Sequence, residues 1–146
     1  MKKTLTVIAL FLIVSGYSVF ANEAYSAAAR GDFGILIKIA RQDKEQLKQK
    51  DSYGWTPLHY AVASDNYWIC RWLIIQGADI NARENEGKTP YFLAVEKKNQ
   101  KILNLLTDHK ADVNIPDRSG KTPLHEAVSF TDYDMATFLL KGGADI

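Results

Sequence analysis

The stretch GWTPLHYA (residues 54–61) returns as GKTPLHEA (residues 120–127), two steps of 33 residues further on, and GKTPYFLA (residues 87–94) stands on the step between. The register holds without a gap far outside these octapeptides. Gly54, Gly87 and Gly120 align, as do Thr56, Thr89 and Thr122, then Pro57, Pro90 and Pro123, then Ala61, Ala94 and Ala127. Leu73, Leu106 and Leu139 follow, and after them Ala78, Ala111 and Ala144, each trailed by Asp and then Ile80, Val113 or Ile146. A period in this range is the mark of a chain built by stacking one small supersecondary unit on the next.

Each aligned column has a physical reason. Thr-Pro is a helix start: the Thr hydroxyl caps the first free N–H groups, and Pro sits where a missing N–H costs nothing. The helix that follows, PLHYAVA (57–63) in the first full copy, spans about two turns. Its Ala61 lets a neighbouring helix come close. Polar breaks at Ser64-Asp65-Asn66, Lys98-Asn99 and Thr131-Asp132 end these first helices. Second helices follow, with apolar residues at helical spacing: Ile69, Trp72, Leu73 and Ile74; Ile102, Leu105 and Leu106; Met135, Phe138, Leu139 and Leu140. Gly77 and Gly143 stand where a left-handed C-cap is expected, and the glycines at 54, 87 and 120 fall in the following turn.

These residues resemble ankyrin repeats. The signature G-x-TPLH-x-A stands at 54–61 and 120–127, and GADIN stands at 77–81. The resemblance implies an all-α solenoid of stacked helix–turn–helix units with short β-hairpin-like loops. It assigns residues 51–83 and 84–116 to full repeats and 117–146 to an incomplete last one. The middle copy departs from the pattern, with Phe92 for the His and Lys110 for the Gly, so its hydrogen bonding and C-cap are expected to differ. Residues 22–50 read as a degenerate first repeat, with AAARGDFGILIKIA (27–40) supplying the turn and second helix, and RQDKEQLKQKD replacing the usual loop. A polar, irregular terminal unit suits a cap whose outer face meets water.

The last residues, KGGADI (141–146), repeat a phrase that runs on into further protein as IQGADIN (75–81) and DHKADVN (108–114). With no following unit, parts of Met135, Phe138 and Leu139 are expected at the surface. The favoured reading is a piece of a longer array; the alternative is an end covered by a partner or by a second copy, through which the chain self-associates.

At the other end, MKKTLTVIALFLIVSGYSVFA (1–21) has the anatomy of a secretory leader: Lys2 and Lys3, an apolar run from Leu5 to Val14, and Val19 and Ala21 at the small-residue positions before Asn22. An uncleaved membrane anchor is the alternative, but Gly16, Tyr17 and Ser18 interrupt the apolar run, and a span needs about 20 such residues. The leader has a bacterial look, which implies a periplasmic or secreted protein, with a eukaryotic secretory route as the other possibility. Cleavage removes two lysines and leaves 16 basic against 17 acidic residues, a net charge of −1. That balance gives no field to attract nucleic acid or, after cleavage, an anionic membrane. Cys70 is the only cysteine, so no internal disulfide forms, and its place in the helical run WICRWLII (68–75) points to a buried, inert thiol.

Chemistry needs side chains that converge, and a stack of repeats keeps them apart. His59 and His125 occupy equivalent places two repeats apart, about 20 Å at helix spacings of 8–10 Å, whereas a shared zinc would need both within about 2 Å. The resemblance gives this His a structural role, bracing the turn. His109 has no Cys or second His nearby, and no phosphate loop, HExxH or Gly-x-Ser-x-Gly occurs. The expectation is a non-catalytic protein with no cofactor and no metal, an enzyme being the weaker rival.

The resemblance also implies where a protein partner would touch, at the loop tips and the ends of the first helices. On the first full repeat these positions are Ser52, Tyr53, Trp55, Ala63 and Ser64. On the next they are Asn85, Glu86, Lys88, Glu96 and Lys97, and on the last Arg118, Ser119, Lys121, Ser129 and Phe130. Tyr53 and Trp55 lead, since aromatics are enriched at interface hot spots; packing against the degenerate first repeat is their other reading. Glu86, Lys88 and Lys121 are expected to add charge selectivity at the rim. Tyr67 and Trp68 are expected to cover neighbouring apolar surface, a secondary contact site being their other reading. One form of this function is an inhibitor or immunity-type protein that blocks an exported enzyme.

Overall fold

Wherever Thr-Pro occurs a helix begins. The computed structural model describes residues 23–146; the expected leader, residues 1–21, lies outside them. The described part of α1 covers residues 23–30, and α2 runs Phe33–Gln42, followed by a short 3-10 turn at Lys44–Lys48. Then come three helix pairs: α3 (Pro57–Ala63) with α4 (Tyr67–Ile75), α5 (Pro90–Glu96) with α6 (Gln100–Asp108), and α7 (Pro123–Ser129) with α8 (Tyr133–Lys141). No strand occurs among the described residues. The architecture is all-α, with α5 packed between α3 and α7 and α4 packed on α6.

The Thr hydroxyls cap as the sequence implies. Thr56, Thr89 and Thr122 each accept from the backbone N–H three residues on, in helices of seven residues. The second helices, nine residues each, turn Ile69 and Leu73, Ile102 and Leu106, or Met135 and Leu139 into a continuous core. Cys70 lies in that core, where burial pushes its thiol up to about 12, which keeps it protonated.

Two departures in the middle repeat resolve simply. Lys110 takes the left-handed conformation itself, φ 66°, in the column where Gly77 and Gly143 have φ 87° and 95°. Phe92 keeps its backbone bond to Thr89 Oγ1 at 3.2 Å but cannot return a side-chain bond, so this helix has half of the capping box.

Loops follow a second rule. Asp51, Glu84 and Asp117 recur at the same period, and each carboxylate accepts from the two N–H groups two and four residues on, at 2.8–3.0 Å. The backbone N–H of each also reaches the carbonyl four residues on, closing the hairpin-like tip. Tips are then joined across repeats: Asn85 N donates to Tyr53 O, and Arg118 N to Glu86 O. Farther along, Asp112 N and Asp145 N donate to Asn81 and Asn114 of the preceding repeat.

The expected exposure at the last repeat holds in part for Phe138 and otherwise falls on different residues. Met135 is 4% exposed and Leu139 0%, with Phe138 partly buried, because this stripe packs against α7 of its own repeat. Exposure falls instead on the column facing along the stack: Val62 and Val95 are 0% and 3% exposed, and Val128 is 60%.

Candidate functional site: an aromatic hollow beside the loop tips

Where the tip of the second loop meets the next one, the surface dips into a hollow of about 570 Å³. Tyr53, Trp55, Tyr60, Ala63 and Leu93 give it an apolar floor and wall, and Glu84, Asn85, Glu86, Lys88, Glu96 and Lys97 supply the rest of the lining. Tyr53 stands free at 69% exposure, its backbone fixed by Asp51. Trp55 is half-buried and packs inside its own repeat, 5.1 Å from Tyr60 and 5.9 Å from His59 between ring centres. Tyr60 in turn stacks on Tyr25 of the degenerate first repeat at 5.6 Å.

Tyr60 also donates its hydroxyl to Asp51 Oδ2 at 2.6 Å, and burial, helped by that carboxylate, raises its pKa to about 12. Asp51 therefore holds the tip with one oxygen and the hollow's aromatic wall with the other. Sequence reasoning did not single out Asp51, Glu84, Tyr60 or Leu93. The acidic pair was findable: an acid recurring three residues before each loop glycine is a turn-forming signal.

The charged rim differs from expectation at Lys88. Its ammonium sits 2.8 Å from Glu96, 3.4 Å from Glu86 and 5.6 Å over the Phe92 ring. Partial burial works against that charge, but the two carboxylates outweigh it and hold the pKa above the ordinary lysine value. Lys88 thus closes the floor of the groove, leaving Glu86 and Lys97 as the outward charges. Asn85 likewise is a staple, donating to Ser52 O at 2.9 Å.

The remaining candidates are placed outside this lining. Ser52 and Ser64 are exposed at its edges, the latter capping the end of α3. Arg118, Ser119 and Lys121 form the exposed third tip, with Ser119 turned back onto Asp117, and Phe130 stands exposed at the end of α7. On the opposite surface Tyr67 packs against the core, but Trp68 is 65% exposed. Trp68 thus covers little beyond Tyr67, whose ring it meets edge-on at 5.2 Å beside Lys101 and Asn104.

The histidines brace turns. His59 Nδ1 lies 2.8 Å from Thr56 Oγ1 and accepts from Thr56 N at 3.1 Å. That leaves the ring proton on Nε2, which reaches Lys88 O of the next loop at 3.4 Å. His125 repeats the contact with Thr122 at 2.7 Å. Among the described residues no cluster of three or more His, Cys, Asp or Glu is placed to hold a metal, and no helix is long and apolar enough to cross a membrane.

A row of Thr-Pro-initiated helix pairs with stapled tips on one face defines a helical-repeat solenoid. The chain belongs to the ankyrin-repeat family: the family described as Ankyrin repeats (3 copies) matches residues 4–84 and 74–146. Over 64 residues it is 39% identical to the human Ankyrin repeat domain-containing protein 39, covering 44% of this chain and 34% of that protein. Inversin from Gallus gallus is 36% identical over 69 residues, 47% of this chain and 6% of that one. Palmitoyltransferase akr1 from Emericella nidulans is 34% identical over 62 residues, 42% and 8% of the two chains. The chain thus spans about a third or less of the length of these relatives.

Proposed function

We propose that this chain is an exported, non-catalytic binding module that docks a folded protein partner against the Tyr53–Trp55–Tyr60 hollow. The observation that carries the reading is Tyr53, a large aromatic held rigid at its backbone while most of its ring faces solvent. Aromatics so placed bring contact area at low entropic cost. Glu86 and Lys97 at the rim then favour a partner surface of mixed charge. Export rests on the anatomy of residues 1–21, and a periplasmic or secreted inhibitor or immunity-type protein is the form of module that such a leader suits.

Tyr53→Ala tests the docking reading, because this side chain is outside the core, whereas Trp55 also supports Tyr60 and His59. A partner captured from envelope extract by the unaltered chain is expected to bind the variant at least about tenfold more weakly by calorimetry. Equal affinity for every captured partner would remove the hollow from the proposal. Export is read separately from the mass of the recovered protein, which should begin at Asn22; an intact residue 1 would overturn it.

A further inference from the structure

We infer that the outer face of α2, α4 and α6 is a docking surface for a bilayer rich in anionic phospholipid, with Trp68 as its anchor. The internal period supplies the comparison. In α6 the outward positions are Lys101, Asn104 and Asp108, and in α8 the same columns hold Asp134, Thr137 and Lys141. In α4 they are Trp68, Arg71 and Ile75, and all three are exposed. Repeat architecture is met by polar residues here, so it does not account for the indole or the isoleucine. Large apolar side chains gathered on one exposed face mark an interaction surface. The patch is continuous. Trp72, one turn from Trp68, meets Phe33 of α2 edge-on at 6.3 Å, and Phe33 and Ile37 also reach solvent. On the other side Tyr67 and Trp68 share a hollow of about 450 Å³ with Lys101 and Asn104 of α6.

Charge selects the occupant. The chain as a whole is near balance, but this face is not. α2 and α4 carry Lys38, Arg41 and Arg71 and no acid, and α6 adds Lys101 beside Trp68. Among the described residues Lys38, Arg71 and Lys101 form no ion pair. Acids occur only at the helix ends, among them Asp32, which caps α2, and Asp65, which accepts from Asn99 Nδ2 ahead of α4. Cations interleaved with tryptophan and aliphatic side chains suit the bilayer interface. The cations meet phosphate headgroups, and the indole, apolar with one N–H donor, seats at the boundary with the acyl chains. A protein surface of mixed charge finds no carboxylates to pair with along these helices, in contrast to the Tyr53 hollow with Glu84, Glu86 and Glu96. The two surfaces share no residue, so a partner and a bilayer can be held together.

Vesicles of phosphatidylcholine with brominated acyl chains, made with and without phosphatidylglycerol, test this through tryptophan emission. The chain's three tryptophans are Trp55, Trp68 and Trp72, so residues 1–21, retained or not, contribute no signal. Quenching is expected on vesicles containing phosphatidylglycerol, at a lipid concentration at least about tenfold lower than on phosphatidylcholine alone. Trp68→Phe should remove most of it. Arg71→Gln should raise the lipid concentration for half-quenching about fivefold, and Tyr53→Ala should leave it unchanged. Circular dichroism establishes that the variants are folded; should Arg71→Gln lose helix, Lys101→Gln on the neighbouring helix replaces it. No quenching on either lipid, equal quenching on both, or quenching that survives Trp68→Phe intact would each overturn the inference. So would a soluble protein whose binding Trp68→Phe weakens while vesicles leave the emission unchanged.

Discussion

Gly87→Ala is expected to lower unfolding free energy by about 3–5 kcal/mol, whereas Gly120→Ala, at the same position one repeat later, costs about 1–2 kcal/mol. Both glycines have left-handed backbone, φ 86° and 85°, so strain of the backbone is common to both substitutions. Their surroundings differ. A methyl group at 87 would stand 2.8 Å from Arg118 N and 3.1 Å from Asp117 C in the next tip, and it would press on the Arg118 N–Glu86 O bond. Around Gly120 nothing comes within 4 Å. Gly54 repeats the crowded case, 2.8 Å from Asn85 N. The difference between variants therefore measures the closeness of one repeat to the next with conformational strain cancelled. Urea midpoints of the three variants check it, and equal losses at 87 and 120 would show that the tip-to-tip contact contributes nothing.

Acid should weaken this protein through His59 more than through any surface group. Burial, only partly offset by the bond to Lys88 O, brings its pKa down from 6.5 to about 4. The unfolded chain then binds a proton that the folded one refuses. Stability is complete above about pH 6.5 and falls as pH drops toward 4, by about 3 kcal/mol in total. Charging the buried ring also costs a bond, because a protonated Nδ1 can no longer accept from Thr56 N. His59→Phe, the residue the middle repeat uses in this column, is expected to be about 1–2 kcal/mol less stable at neutral pH. It should lack this component of the acid loss, so that the two stability curves cross between about pH 5 and 6 and the variant is the more stable by about 1–2 kcal/mol near pH 4. Urea titrations at pH 7 and pH 4 decide the matter; parallel losses in the two proteins would exclude His59 as the cause.

The helix pairs were legible because their causes are local. A Thr-Pro start, an apolar stripe at helical spacing and a glycine past the end each act within one turn of helix, and they recur at a fixed period. The groove was legible only as a set of positions. That Lys88 is neutralised by Glu96 and Glu86, or that Tyr60 stacks on Tyr25 of the first repeat, depends on side-chain directions across neighbouring elements. Exposure at the last repeat was misplaced for a related reason. Met135 and Leu139 looked like an uncovered stripe, yet a second helix faces its own first helix, and the column that faces along the stack belongs to α7.

One oxygen of each of Asp51, Glu84 and Asp117 grips the main-chain N–H groups two and four residues on, and these bonds hold each loop's shape without calling on the side chains at positions 52, 53 and 55 or their counterparts. Loop shape is thereby written in residues other than the exposed side chains at the tips. Descendants of this gene could alter the exposed side chains of a tip with no need to rediscover how to fold.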